Sequence, residues 1–140
     1  MGEKVDARIR VLESALRRLD EISAMSLEDF LKDRFASAAA ERSFQVAIEV
    51  VIDLANMLAS KVGRRSPETY ADVFRVLGEA GRLSPRLVEE GIGMARFRNL
   101  LVHAYATVDP TRVHAMAREK VRVLRELAST LAKQLEELGA

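Results

Sequence analysis

The sequence predicts an all-α protein, an up-and-down helical bundle of four long helices and one short helix, in a single domain spanning residues 1–140. Three observations carry this expectation. Apolar residues recur at three- and four-residue steps almost throughout, the period of a helix with one buried face. No segment alternates apolar and polar residues with the two-residue period of a half-buried strand. Each of the three prolines follows a Ser or Asp, the signature of a helix start: the side chain caps free N–H groups, and proline sits where its missing N–H had no partner. At 140 residues and 49% hydrophobic content, the chain can bury one sizeable core and is too short for two.

The elements follow in order. Val5, Ile9, Leu12, Leu16 and Leu19 form one stripe of a first helix. Ser26, with Asp29 three residues later, reads as a capping box that opens a short segment. A long helix then runs through FQVAIEVVIDLANMLASKVG and stops at Gly63. Ser66-Pro67 opens the short helix, which Gly81 ends, and Ser84-Pro85 and Asp109-Pro110 open the last two long ones. Leu124, Leu127, Leu131, Leu135 and Leu138 give the final helix its apolar stripe. Brief connections between neighbours favour antiparallel packing in a bundle. There is no internal repeat, linker or low-complexity stretch.

Composition narrows the function. The chain has no cysteine, no apolar run near the length needed to cross a bilayer, and no secretory leader, so a cytoplasmic protein with no membrane partner is expected. The net charge of +1 gives no whole-molecule attraction for a polyanion. Charge is uneven, however: between Arg96 and Arg125 seven basic residues face two acidic ones, whereas residues 1–60 carry eight basic and eleven acidic groups.

The chemistry-bearing residues gather in RFRNLLVHAY, Arg96 to Tyr105, which holds one of the two histidines and one of the two tyrosines. At about 100° per residue, Met94, Phe97, Leu100, Leu101 and Ala104 fall on one face, expected to meet the core. On the other side, Tyr105 lies about 20° from Arg98, and His103 about 140° from it. Gly91, Ala95, Val102 and Ala106 fill the gaps. A face of small and apolar residues between polar groups suits close approach by a second protein surface, so a homodimer with Ala95, Val102 and Ala106 at or beside the two-fold axis is expected.

Histidine exchanges protons near neutral pH, and arginine matches phosphate oxygens with paired donors, so Arg98 and His103 suit phosphodiester cleavage. In RNA the 2′-hydroxyl supplies the nucleophile, and such a site needs no metal and no cofactor. Asn99, one turn before His103, is placed to orient its ring, and Arg96 adds charge nearby. Because Arg98 and His103 diverge on a regular helix, a symmetric dimer is expected to bring them together. Glu49 and Asp53 are expected to pair with arginines of a neighbouring helix, since the Glu-x-x-His pattern of a di-iron bundle is absent. Tyr70 and Phe74 read as packing residues, and His114 as a surface residue.

The segments ERSFQVAIEVVIDLANMLA, SPETYADVF, RFRNLLVHAY and VDP resemble, in that order, the HepT-like branch of the HEPN superfamily, the toxin half of HEPN/MNT toxin–antitoxin pairs. The resemblance covers residues 5 to about 125, and Arg98, His103 and Tyr105 match the family's R-x4-H-x-Y motif without departure. It implies a dimeric, metal-independent endoribonuclease acting on tRNA or mRNA. It also implies an MNT-type nucleotidyltransferase antitoxin that transfers AMP onto Tyr105. The alternative is a non-catalytic nucleotide- or substrate-binding companion of a nucleotidyltransferase, which would use the same face without cleaving RNA.

Overall fold

The axis of the fold is the most apolar helix, which every other helix touches. In the computed structural model, which describes residues 2–103 and 108–139, the helices are α1 (Glu3–Ala24), α2 (Leu27–Lys32), α3 (Arg34–Val62), α4 (Asp72–Glu79), α5 (Pro85–His103) and α6 (Pro110–Glu137). No strand occurs among the described residues. α3 packs against α1 and α6 to form the main core, and α4 and α5 lie together over another side of it. By length and composition α3 could cross a bilayer, against the expectation from sequence that no run approaches that length. Most of that apolar stretch is instead covered by neighbouring helices, although Phe35 in the first turn of α3 is exposed. Phe44, Ile48, Leu54 and Leu58 are fully buried, and Phe44 meets Phe97 of α5 edge-on at 5.3 Å. Side chains of this size each contribute about 1.5–3 kcal/mol when fully buried.

The periodic stripes fold as expected. Val5, Leu12, Leu16 and Leu19 of α1 and Leu124, Leu127, Leu131 and Leu135 of α6 are buried, whereas Leu138, at the C-cap, is exposed. Pro85 and Pro110 begin α5 and α6, and the Asp109 carboxylate accepts from Thr111 N at 3.0 Å. After α4, Gly81 takes φ +72°, and Arg82 N donates to Leu77 O at 2.8 Å, which closes the helix with a left-handed cap.

Several expectations need correction. The segment after Ser26 is itself a helix, so the bundle has two short helices; Ser26 Oγ accepts from Asp29 N, and Asp33 then caps α3 through Phe35 N and Ala36 N. Pro67 does not open a helix. α4 begins five residues later, because Asp72 draws the preceding segment into a loop: its carboxylate accepts from Glu68 N, and its own N–H donates to Thr69 Oγ1. His114 is buried rather than on the surface. Its Nε2–H donates to Met25 O at 2.8 Å, its ring lies 5.1 Å from Phe30, and Arg118 donates to Ser23 O, so α6 satisfies carbonyls at the end of α1.

The core face of α5 is also rotated from its expected position. Met94 and Phe97 are buried, but Leu100 is exposed, and Gly91 and Ala95 are buried within the chain itself. α4 explains the shift: a Cβ on Gly91 would stand 2.5 Å from Cγ of Phe74, so glycine here admits a close helix–helix approach. Ala95 is therefore not available to a second subunit. Val102 remains exposed, and Ala104 and Ala106 lie outside the described residues.

Candidate functional site

The loop between α3 and α4 supplies a wall that the motif helix lacks. Arg65, within that loop, ties it to both ends of α4: Nη1 and Nη2 reach the two Asp72 oxygens at 2.6 and 2.9 Å, while Nε and Nη2 reach the two Glu79 oxygens at 2.9 and 3.0 Å. Paired guanidinium–carboxylate bonds are directional, so they fix position as well as charge. The Arg65 hydrogen bonds hold the Asp72 carboxyl far below the usual carboxylate range and lower that of Glu79, while Asp72 and Glu79 raise Arg65 in turn. Pro67, Glu68, Thr69 and Tyr70 are thereby set facing the end of α5.

Between this wall and α5 lies an open cleft of about 500 Å³, lined by Asn56 of α3, by Pro67 to Tyr70, and by Arg98, Asn99 and His103. Arg98 and His103 thus reach one cleft within a single chain, although the helical wheel set them well apart. The opposite wall makes the difference, since a cleft wide enough for a nucleotide spans more of the helix than one bearing.

Arg98 is largely buried, its side chain 15% exposed, and held from three sides. Glu49 Oε2 lies 2.9 Å from both Nε, which donates to it, and Nη2. Nη1 donates to Asn99 Oδ1 at 3.3 Å, and the guanidinium lies over the Tyr70 ring, 4.9 Å from its centroid. The expected pairing of Glu49 and Asp53 with arginines of neighbouring helices is found, with Arg98 of α5 and with Arg8 of α1 at 3.4 Å. Asn99 is engaged with Arg98; among the described residues it makes no bond to His103. His103, the last residue of α5, is exposed, and Arg96 is exposed outside the cleft lining. Tyr105 lies outside the described residues. Phe74 packs in the core as expected, but Tyr70 is half exposed and serves the cleft.

The basic surplus near the motif is smaller in space than in sequence. Lys120 pairs with Glu90, and Arg125 with Asp20 and Glu13. Among the described residues no group of three or more His, Asp or Glu side chains is arranged to hold a metal ion. Sequence reasoning missed Asn56, Glu68, Thr69 and Tyr70. Asn56 did leave a signal, a polar residue inside the apolar run IDLANMLA, but the loop residues left none, since the fold alone brings them to α5.

This cleft of the helical bundle brings together an anchored guanidinium, an exposed imidazole and amide groups, a set of donors whose chemistry suits a phosphate ester. The ribonuclease HepT-like family model matches residues 12–131, and the chain belongs to that family. The tRNA nuclease HepT of Aphanizomenon flos-aquae is 28% identical over 109 residues, 78% of this chain and 74% of that protein. In structure, the chain is similar to the tri-AMPylated HEPN toxin of Shewanella oneidensis in complex with an MNT antitoxin. The TM-score is 0.84 at 18% identity, covering 94% of this chain and 98% of that one. It is likewise similar to the Bacillus subtilis cytosolic protein YutE, of unknown function, with TM-score 0.81 at 20% identity over 98% and 92% of the two chains. At these identities the structural likeness speaks for the all-helical HEPN fold.

Proposed function

We propose that this protein is the toxin of a HEPN/MNT toxin–antitoxin pair, a metal-independent endoribonuclease that cuts tRNA or mRNA in the cytoplasm. The observation that carries the reading is the meeting of Arg98 and His103 on one cleft. In the reaction, the RNA 2′-oxygen bonds to phosphorus and the bond to the 5′-oxygen breaks, leaving a cyclic phosphate and a 5′-hydroxyl. One proton leaves the 2′-hydroxyl and one reaches the 5′-oxygen. His103 serves as one of these proton-transfer groups, and Arg98 stabilises the extra charge on the five-coordinate phosphate. Asn99 steadies Arg98, and Arg96, on the exposed side of α5, adds attraction for the polyanion.

Two proton transfers ask for two groups, and each chain brings one motif histidine. A homodimer with both copies of His103 at a shared cleft supplies the second. Leu100 and Val102, each 38% exposed beside His103, favour such an interface. An MNT-type nucleotidyltransferase is the proposed antitoxin. It silences the toxin by adding AMP to Tyr105, seven positions after Arg98 in the sequence, a modification that adds negative charge and bulk.

The test is incubation of the purified protein with total tRNA in excess chelator, beside His103→Ala and Arg98→Ala, with sedimentation of the same preparations at micromolar concentration. Cleavage by a dimer is expected, falling about 10²- to 10⁴-fold in His103→Ala. Undiminished cleavage by either variant would place the activity elsewhere, and RNA binding without cleavage by the wild type would favour the non-catalytic companion.

A further inference from the structure

Arg98 and Tyr70 form a partition. On one side is the 500 Å³ cleft, and on the other a smaller hollow of about 220 Å³ lined by Glu49, Ile52, Asp53, Tyr70 and Arg98. Glu49 lines only the hollow, so its carboxylate stands behind the guanidinium as seen from the cleft. A guanidinium offers two edges with paired N–H groups, one formed by Nε and one Nη, the other by the two Nη atoms. Glu49 Oε2, 2.9 Å from Nε and Nη2, occupies the first edge. Gln45 Nε2 in turn donates to the same Oε2 at 3.3 Å and steadies the carboxylate from one turn back on α3.

We propose that Glu49 is a positioning residue for Arg98: by filling the Nε/Nη2 edge from behind, it turns the Nη1/Nη2 edge toward the cleft as the fork that receives the RNA phosphate. The assignment rests on the ribonuclease reading above. Tyr70, under the guanidinium at 4.9 Å, fixes the plane, and Glu49 fixes rotation within that plane. Asn99 takes one Nη1 hydrogen, which leaves one hydrogen on each Nη for a bidentate phosphate contact. The clamp comes from α3 and the clamped residue from α5, 49 positions apart, so helix packing sets the aim of the fork.

The experiment measures RNA cleavage kinetics for wild type, Glu49→Ala, Glu49→Gln, Arg98→Ala and the Glu49→Ala/Arg98→Ala double variant. Alongside, the Arg98 Nε–H resonance is recorded by NMR in wild type and Glu49→Ala. Glu49→Ala should lower kcat roughly 10- to 100-fold with little change in KM, the scale of a misplaced reacting group. Glu49→Gln, which keeps an oxygen acceptor, should recover most of the loss. The double variant should be no slower than Arg98→Ala alone, and the slowly exchanging Arg98 Nε–H signal should disappear in Glu49→Ala. Unchanged or faster cleavage by Glu49→Ala, a full further loss in the Arg98→Ala background, or an unaltered Arg98 Nε–H signal would overturn the assignment. Should the wild type cleave no RNA, the ribonuclease reading fails, and the NMR comparison still decides whether Glu49 holds Arg98.

Discussion

Adding one methyl group at Gly91 tests the closeness of α4 to α5, on which the cleft wall depends. An alanine Cβ there would stand 2.5 Å from Phe74 Cγ and 2.7 Å from Cε1, with Cδ1 nearer still. Carbon atoms prefer separations of about 3.5–4.0 Å, so the ring or the helix must retreat by roughly 1 Å or more. Neither moves freely. Phe74 is fully buried, and α4 is held at both ends by the Arg65 bonds to Asp72 and Glu79. Overpacking of this kind costs about 1–3 kcal/mol, and we expect the upper end here; the gain of about 1 kcal/mol from replacing glycine inside a helix offsets part of it. The net loss is then about 2 kcal/mol, or a Tm lower by roughly 6–10 °C for a chain of this size. Gly93, two residues along the same helix, is exposed with nothing near its Cβ position, so Gly93→Ala should gain about 1 kcal/mol. Urea unfolding of both variants at one protein concentration, followed by far-ultraviolet circular dichroism, should separate them by about 3 kcal/mol. A Gly91→Ala protein as stable as the wild type, with an unchanged denaturant slope, would show that the helices do not meet as described.

Three further outcomes are expected. The folded state holds the Asp72 and Glu79 carboxyls low, so their contribution is present above the ordinary carboxylate range, about pH 4, and is lost as pH falls through the depressed values. Asp72→Asn should therefore be less stable than the wild type at pH 7, with the gap closing in urea titrations toward about pH 2; a gap independent of pH would contradict the Arg65 clamp. His114→Ala should lose about 1–3 kcal/mol, because the Met25 carbonyl loses its nearest donor, while RNA cleavage persists; neutral unfolding data would return His114 to the surface. Co-expression with a neighbouring nucleotidyltransferase should add the mass of AMP to the wild type and not to Tyr105→Phe, whereas neutralised toxicity without modification would mean that the antitoxin acts by binding alone.

The sequence by itself determined what is local. Helical periodicity, the caps at Ser26 and Asp109 and the stop at Gly81 are interactions within a turn or two of chain, so the buried stripes of α1 and α6 and the starts of α5 and α6 could be read. The order of residues on α5 likewise put Arg98, Asn99 and His103 on view as a group. Tertiary structure alone decided which way that helix faces and what stands opposite it. Hydrophobic spacing cannot tell a small residue kept for a second subunit from one kept for a neighbouring helix, so Gly91 and Ala95 were misread until α4 was seen lying close against α5. The same holds for partners far apart in the chain: Met25 meets His114 across 89 positions, and Glu49 meets Arg98 across 49. A histidine one turn into a helix looks solvated unless another helix ends beside it. Pro67 carried a valid local signal for a helix start, but the loop bonds to Asp72, with the Arg65 clamp behind them, outweighed it and made the loop a wall of the cleft.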